Sequence, residues 1–398
     1  MVEKGRDTVS EKMTRREIFR GGLAATTVLA MGVPEWAIPA LAQGEKLVSF
    51  TDIPDDFSPG GQNSPVRVYD IRKITAENPF TPRDEFFSIG HFTQPEINAS
   101  TYRLEVTGLV DSPVKLSLAD IQARPSVELA AGYECSGNSG RTVHGLASNG
   151  LWKGTRLRDL LSDLGVRKEV QEVVFFGTDH GERDVAFRRQ TFKLDQQFAR
   201  SMSLENAMKP EPLLVYSLNG EPLTRQQGFP LRLLMPGWYG VANVKWLSGI
   251  HLQQDRFVGH YQAFWYRTIM GETIGEDVKF TENEVTRLRL KSVIARVTQR
   301  SGNHQVLGFV LNDGTPLRSV EVKVDQGPWR PATLVESNTR YSWKLFTYTW
   351  QGATPGEHTL VSRATDANGK VQATEADLKN KQTFLEHSAQ FPRTVRIA

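Results

Sequence analysis

The chain has 398 residues, a net charge of +3, 39% hydrophobic and 23% charged residues, and a single cysteine. That length suffices for two or three domains with full cores. The near-neutral charge, with no basic cluster interleaved with aromatics, argues against a nucleic-acid binder, and one cysteine excludes an internal disulfide.

Residues 1–42 read as an export segment. The paired Arg15-Arg16 and the basic Arg20 precede an apolar stretch, GLAATTVLAMGVP, and Ala40-Leu41-Ala42 forms a small-x-small cleavage site. That order is the order of a signal peptide. Twin arginines point to the pathway that exports folded proteins, used when a cofactor is inserted first. The apolar run is too short and glycine-rich to span a membrane. A periplasmic mature chain with no membrane span is therefore expected.

Residues 43–82 are rich in Pro, Gly, Asp and Asn and read as an extended arm over the first domain. TYRLEVTGLV (101–110) alternates as a strand, and SLADIQAR reads as a short helix. In RLRDLLSDLG, Leu157, Leu160, Leu161 and Leu164 follow the helical period and Gly165 stops it. EVVFFGTD (172–179) reads as a buried strand running into a polar loop, DHGERD, and Asn219-Gly220 marks a tight turn. FPLRLLMPG and NVKWLSGIHLQ add two strands, so residues 43–280 read as a mixed, irregular α+β domain. From 285 to 398 the chain turns to short alternating strands separated by Asn-Asp-Gly, Gly-Pro, Pro-Gly and Asn-Gly turns, the pattern of an all-β sandwich.

Cys135, in AGYECSGNSGR, admits three readings: a small buried hydrophobe, a nucleophile assisted by His144 or His91, or a soft thiolate ligand for a redox metal. CxxC, CxxCH and HExxH motifs are all absent from the sequence. A lone thiolate holds a metal only if a cofactor brings the other donors, as a pterin dithiolene does for molybdenum.

On ECSGN and the long stretch NGEPL…GFPLRLLMPGWYGVANVKWL (219–247), the chain resembles the sulfite oxidase family of molybdopterin oxidoreductases from about Phe86 to the C-terminus. The resemblance implies a molybdenum–molybdopterin domain followed by an immunoglobulin-like dimerisation sandwich. Cys135 would be the metal thiolate. Phe87, Ser88, Ile89, Gly90 and His91 would lie along the pterin, and Asp179 would bond it. Gln227, Arg232, Asn243, Val244 and Lys245 would surround its phosphate. Tyr266 would stand beside the metal, with Arg141 drawing in the substrate anion.

Two positions depart from the family pattern. Ile89 stands where the family carries a substrate-facing arginine, and Gln227 where it carries a histidine. The implied activity is oxidation of sulfite to sulfate, with electrons passed to a separate c-type cytochrome because the chain has no haem motif. Protein-bound sulfane sulfur or a sulfoxide is the alternative substrate for the same cofactor. A cysteine hydrolase and a non-catalytic binding protein are the rivals of other classes.

Overall fold

The computed structural model describes residues 45–53, 57 and 66–398, so the export segment lies outside the described residues. Strands dominate. Among the described residues the α-helices are Leu118–Gln122, Leu157–Asp163 and Leu204–Ala207, all short. The α+β expectation for residues 43–280 thus becomes a mostly β architecture with helices as brief connections. The first two helices fall where the sequence places them. Ser117 caps the first by accepting from the Asp120 backbone N–H, and the second buries Leu157, Leu160 and Leu161.

Two five-stranded sheets carry the first half. One runs Glu221–Pro222, Leu213–Leu218, Ala147–Arg156, Ser126–Glu134, with Arg232–Leu234 also paired to Leu213–Leu218. The other runs Val114–Leu116, Leu104–Gly108, Leu247–Gln253, Glu172–Phe187, Gln190–Ser203, and its Leu104–Gly108 and Leu247–Gln253 strands are parallel. Trp152, Phe175, Leu214 and Leu247, each essentially unexposed, join both sheets to one apolar cluster.

The polar stretch DHGERD is not a loop. Glu172–Phe187 is one continuous strand, hairpinned onto Gln190–Ser203. Tertiary pairing overrides local polarity there, because the outer part of the hairpin is exposed and needs no apolar alternation. The register shifts between Phe176 and His180, so Asp179 sits in a bulge. Such bulges re-aim side chains beside functional clefts.

In the second half, Lys46–Val48, Lys291–Arg300, Asn303–Leu311, Lys344–Trp350 and Thr333–Leu334 form one sheet. Arg330–Pro331, Leu317–Val324, Gly356–Asp366 and Pro392–Ile397 form a second. Val297, Val306 and Phe346 of the first meet Val320, Val322, Leu360 and Val395 of the second in a separate apolar core. Lys46–Val48 pairs with Val297–Gln299, so the start of the expected arm belongs to this sheet pair, whereas Tyr69, Ile71 and Ile74 further along it join the larger apolar cluster of the first half. Arg267–Ile274 and Asp277–Glu284 form a hairpin absent from the sequence reading.

Candidate active site

One cleft gathers much of the sequence-derived site. Phe87, Ser88, Ile89, His91, Cys135, Arg232, Asn243, Lys245 and Tyr266 line it, together with Tyr133, Phe198 and Gln226.

Cys135 lies at the head of the loop joining Ser126–Glu134 to Ala147–Arg156. Its N–H donates to the Leu146 carbonyl at 2.8 Å, and its own carbonyl accepts from Asn138 N–H at 3.0 Å. Asn138 organises the loop further. Its amide donates to Glu134 and to the His144 carbonyl, both at 2.9 Å, and accepts from Leu146 N–H at 3.0 Å. Glu134 in turn pairs with Lys291 at 2.9 Å in full burial, tying the loop to the second half. Gly145 admits no side chain: a Cβ there would stand 2.0 Å from the Tyr69 carbonyl oxygen. Burial pushes the Cys135 thiol up to about 11, so ionising it requires a nearby positive charge such as a metal ion.

The nucleophile reading fails on geometry. His144 packs edge-on against Phe391 at 4.3 Å, and neither ring nitrogen has a hydrogen-bond partner among the described residues. His91 shares its Nε2 hydrogen bond with the Tyr266 hydroxyl at 2.8 Å. Neither imidazole serves Cys135 as a base.

Tyr266 follows a π-turn, His260–Phe264, a device common at functional sites. Of three consecutive aromatics only Tyr266 is buried, at 6% exposure, against 42% for Phe264 and 51% for Trp265. Burial raises its hydroxyl well above the ordinary tyrosine range, so it remains a proton-bearing donor. His91 stacks on Tyr261 at 4.5 Å. Burial first, then the charges of Arg183, Lys245 and His260, push it down to about 4 and keep it neutral.

Two buried cations meet at the far wall. Arg232 donates to the carbonyls of Gln227 and Asn243, each at 3.0 Å, and its Nε is left without a partner. Lys245 donates to the Ile89 carbonyl at 2.9 Å, the Gln226 carbonyl at 3.2 Å and the Ser88 hydroxyl at 3.3 Å. Among the described residues no carboxylate lies within ion-pair distance of either. Burial and then Arg232 lower Lys245 to about 7. Asp179, buried and with Oδ1 unpartnered, is raised to about 6 by burial although Lys245 opposes the shift.

An unanswered pair of buried cations costs several kcal/mol per charge on the order-of-magnitude scale and fits an anion such as a phosphate. Cys135 is the soft donor in the same wall. Among the described residues no group of three His, Cys, Asp or Glu could hold a metal, which suits a metal whose remaining donors arrive on an organic ligand. The residues present therefore fit a phosphate-bearing pterin with its metal at Cys135.

Several sequence-derived residues lie elsewhere. Arg141 is exposed on the Gly140–Thr142 turn and is not part of the cleft lining. Gln227 spends its amide on Arg83 and Thr224 as a cap; its neighbour Gln226 lines the cleft instead. Val244 is interior, bonded through its carbonyl to Leu233 N–H. Asn243 bonds Met235 N–H at 2.7 Å and the Tyr239 carbonyl at 3.1 Å, so it shapes the wall. Gly90 and Asp179 are beside the lining residues without being part of it.

Arg200 went unnoticed in the sequence. It is 1% exposed and donates to the Tyr261 carbonyl at 2.6 Å and the Val285 carbonyl at 2.7 Å, while Val285 N–H donates to Tyr266 at 3.0 Å. It braces both sides of Tyr266. The available signal was a charge inside the apolar run FARSM.

Residues 91–261 match the family model described as an oxidoreductase molybdopterin binding domain. By this match and the relatives below, the chain resembles the sulfite oxidase family of molybdopterin oxidoreductases. It is thus an oxidoreductase of a molybdenum–pterin family. It is 27% identical to the mitochondrial sulfite oxidase of Rattus norvegicus, over 89% of this chain and 70% of that protein. Identity to the Homo sapiens enzyme is 29%, over 79% of this chain, which spans 62% of that longer relative. In fold it is similar to the sulfane dehydrogenase SoxCD from Paracoccus pantotrophus, with a TM-score of 0.71 at 22% identity, covering 93% of this chain and 99% of that one.

Proposed function

We propose that the protein is a sulfite dehydrogenase: sulfite and water become sulfate, two protons and two electrons, and the electrons pass to a c-type cytochrome. The observation that carries this reading is the meeting of a lone thiol, a proton-bearing tyrosine and two unanswered buried cations in one cleft. Cys135 would hold the metal, and Arg232 and Lys245 the pterin phosphate. When bound, the cofactor supplies the two-electron change at a metal that the side chains themselves cannot undergo. The chain's own contribution is placement. With His91 as the Nε2–H tautomer donating to it at 2.8 Å, Tyr266 keeps its own O–H to offer to an oxygen of substrate or product. Phe87, Tyr133 and Phe198 narrow the wall against water.

Export in the folded state through the twin-arginine segment, a periplasmic location, and a homodimer formed through an immunoglobulin-like sandwich complete the proposal. The second substrate reading, sulfane sulfur on a carrier or a sulfoxide, draws on the uncharged Ile89 in the cleft wall. Protein matured in a host that makes the cofactor should carry about one molybdenum per chain and reduce a c-type cytochrome when given sulfite. Metal-free mature protein would remove the cofactor reading. Loaded protein inert to sulfite would favour the second substrate reading.

A further inference from the structure

A second cleft adjoins the first, sharing His91 with it and lined also by Arg183, Lys193, His260, Tyr261 and Trp265. Arg183 donates to the His91 carbonyl and lies over the Phe92 ring at 4.9 Å, which fixes its guanidinium beside the junction. Among the described residues no carboxylate lies within ion-pair distance of it. The lining also includes the acids Glu182, paired with Lys193 at 2.8 Å, and Asp184, which alternate with Arg183 along the strand. The Tyr261 hydroxyl is buried there beside Arg183, whose guanidinium hydrogen-bonds it, and its own proton has no acceptor among the described residues. A guanidinium with no carboxylate in ion-pair contact and the free proton of the hydroxyl beside it form a donor set for an oxyanion.

We infer that this side cleft is the substrate-recognition subsite, with Arg183 as the specificity-determining cation and the Tyr261 hydroxyl as its companion donor. Its ligand class is a small sulfur oxyanion approaching the His91–Tyr266 pair. The inference rests on the proposed cofactor site and names the group that recognises the anion in front of it. It also explains how a cleft whose own wall is uncharged at Ile89 can select an anion.

The test uses molybdenum-loaded wild type, Arg183→Met and Arg183→Lys, with sulfate as the equilibrium probe by calorimetry and sulfite as the kinetic one. Arg183→Met should keep its molybdenum and weaken sulfate binding by on the order of tenfold, the scale of one charge-assisted contact. The sulfite KM should rise by a similar factor with kcat little changed, and Lys should restore part of both losses. Undiminished sulfate binding in Arg183→Met, or no sulfate binding by the loaded wild type, overturns the inference. A fall in kcat at unchanged KM also overturns it, since Arg183 would then only brace His91. Absence of molybdenum from the wild type would instead count against the proposed function. If the loaded enzyme ignores sulfite, the sulfate measurement alone still decides the role of Arg183.

Discussion

The two halves of the molecule treat buried charge differently. At the sheet pair of the second half, Arg393 is answered by Asp52 at 3.1 Å, and the core inside is apolar. In the first half, Arg232, Lys245 and Arg200 are buried with oxygen acceptors but, among the described residues, no carboxylate within ion-pair distance. Two lysines make the contrast sharpest. Lys344 donates to Asn312 and to the carbonyls of Arg340 and Ser342, and Lys245 likewise meets three oxygens. Burial lowers both, to about 8 and about 7. The next influence on Lys344 is the acid Asp313, whereas on Lys245 it is the cation Arg232. A buried charge alone is ordinary structure. Two like charges converging on a cleft with no carboxylate in ion-pair contact mark a place prepared for an anion.

That contrast can be broken experimentally. The largest effect is expected from Cys135→Ser: cofactor-loaded protein should lose turnover while the melting temperature of the cofactor-free form barely moves, because oxygen does not replace a soft thiolate. Full activity in that variant would remove the ligand assignment. Lys291→Met strands Glu134 in the interior beside the Cys135 loop, and urea unfolding should show a loss of about 3–5 kcal/mol. A loss below about 1 kcal/mol, the scale of a surface pair, would mean that water reaches Glu134.

Arg232→Met should act differently. Removing a cation without an ion-pair partner offsets the stranding of the Gln227 and Asn243 carbonyls, so the cofactor-free protein should change little in stability while bound molybdenum and pterin fall. Lys344→Met, in the other half, should destabilise by about 1–2 kcal/mol by stranding its acceptors and leave cofactor content alone. If both variants behave alike, the contrast between the halves has no functional meaning.

The smallest effect is on acid stability. His91, pushed down to about 4, and His144, also pushed well below its ordinary value by burial, are both neutral when folded. The unfolded chain binds their protons first, so their contribution is complete above about pH 6.5 and drains away as pH falls towards 4. His144→Leu should flatten this limb in a melting-temperature series. An unchanged slope would show that His144 is protonated in the fold.

Much of the cleft was legible in the residues because the long 219–247 stretch is distinctive and its roles are local. Arg232 stood out as a charge in an apolar strand, and Arg200 in FARSM offered the same signal unread. Gln227 was misread because a one-residue shift decides whether a turn residue caps its own helix or faces the cleft, and only the backbone path settles that. Arg141 looked close to Cys135 in sequence, but the turn over Gly140–Thr142 leaves it exposed. Arg183 lay in a segment whose polarity reads as a loop, and it reaches His91 only because that segment pairs as a hairpin.

The chain by itself determined the lone thiol of Cys135, the helices marked by leucine period and cap, the alternating strands of the second half and the family that the chain resembles. Each is encoded over a few to a few tens of neighbouring residues. Tertiary structure alone decided which cations lose their counter-ions, which imidazole meets Tyr266, and that Lys291 anchors the Cys135 loop from 157 positions away. Those outcomes depend on burial and on distances between remote segments, and neither quantity exists until the sheets have packed.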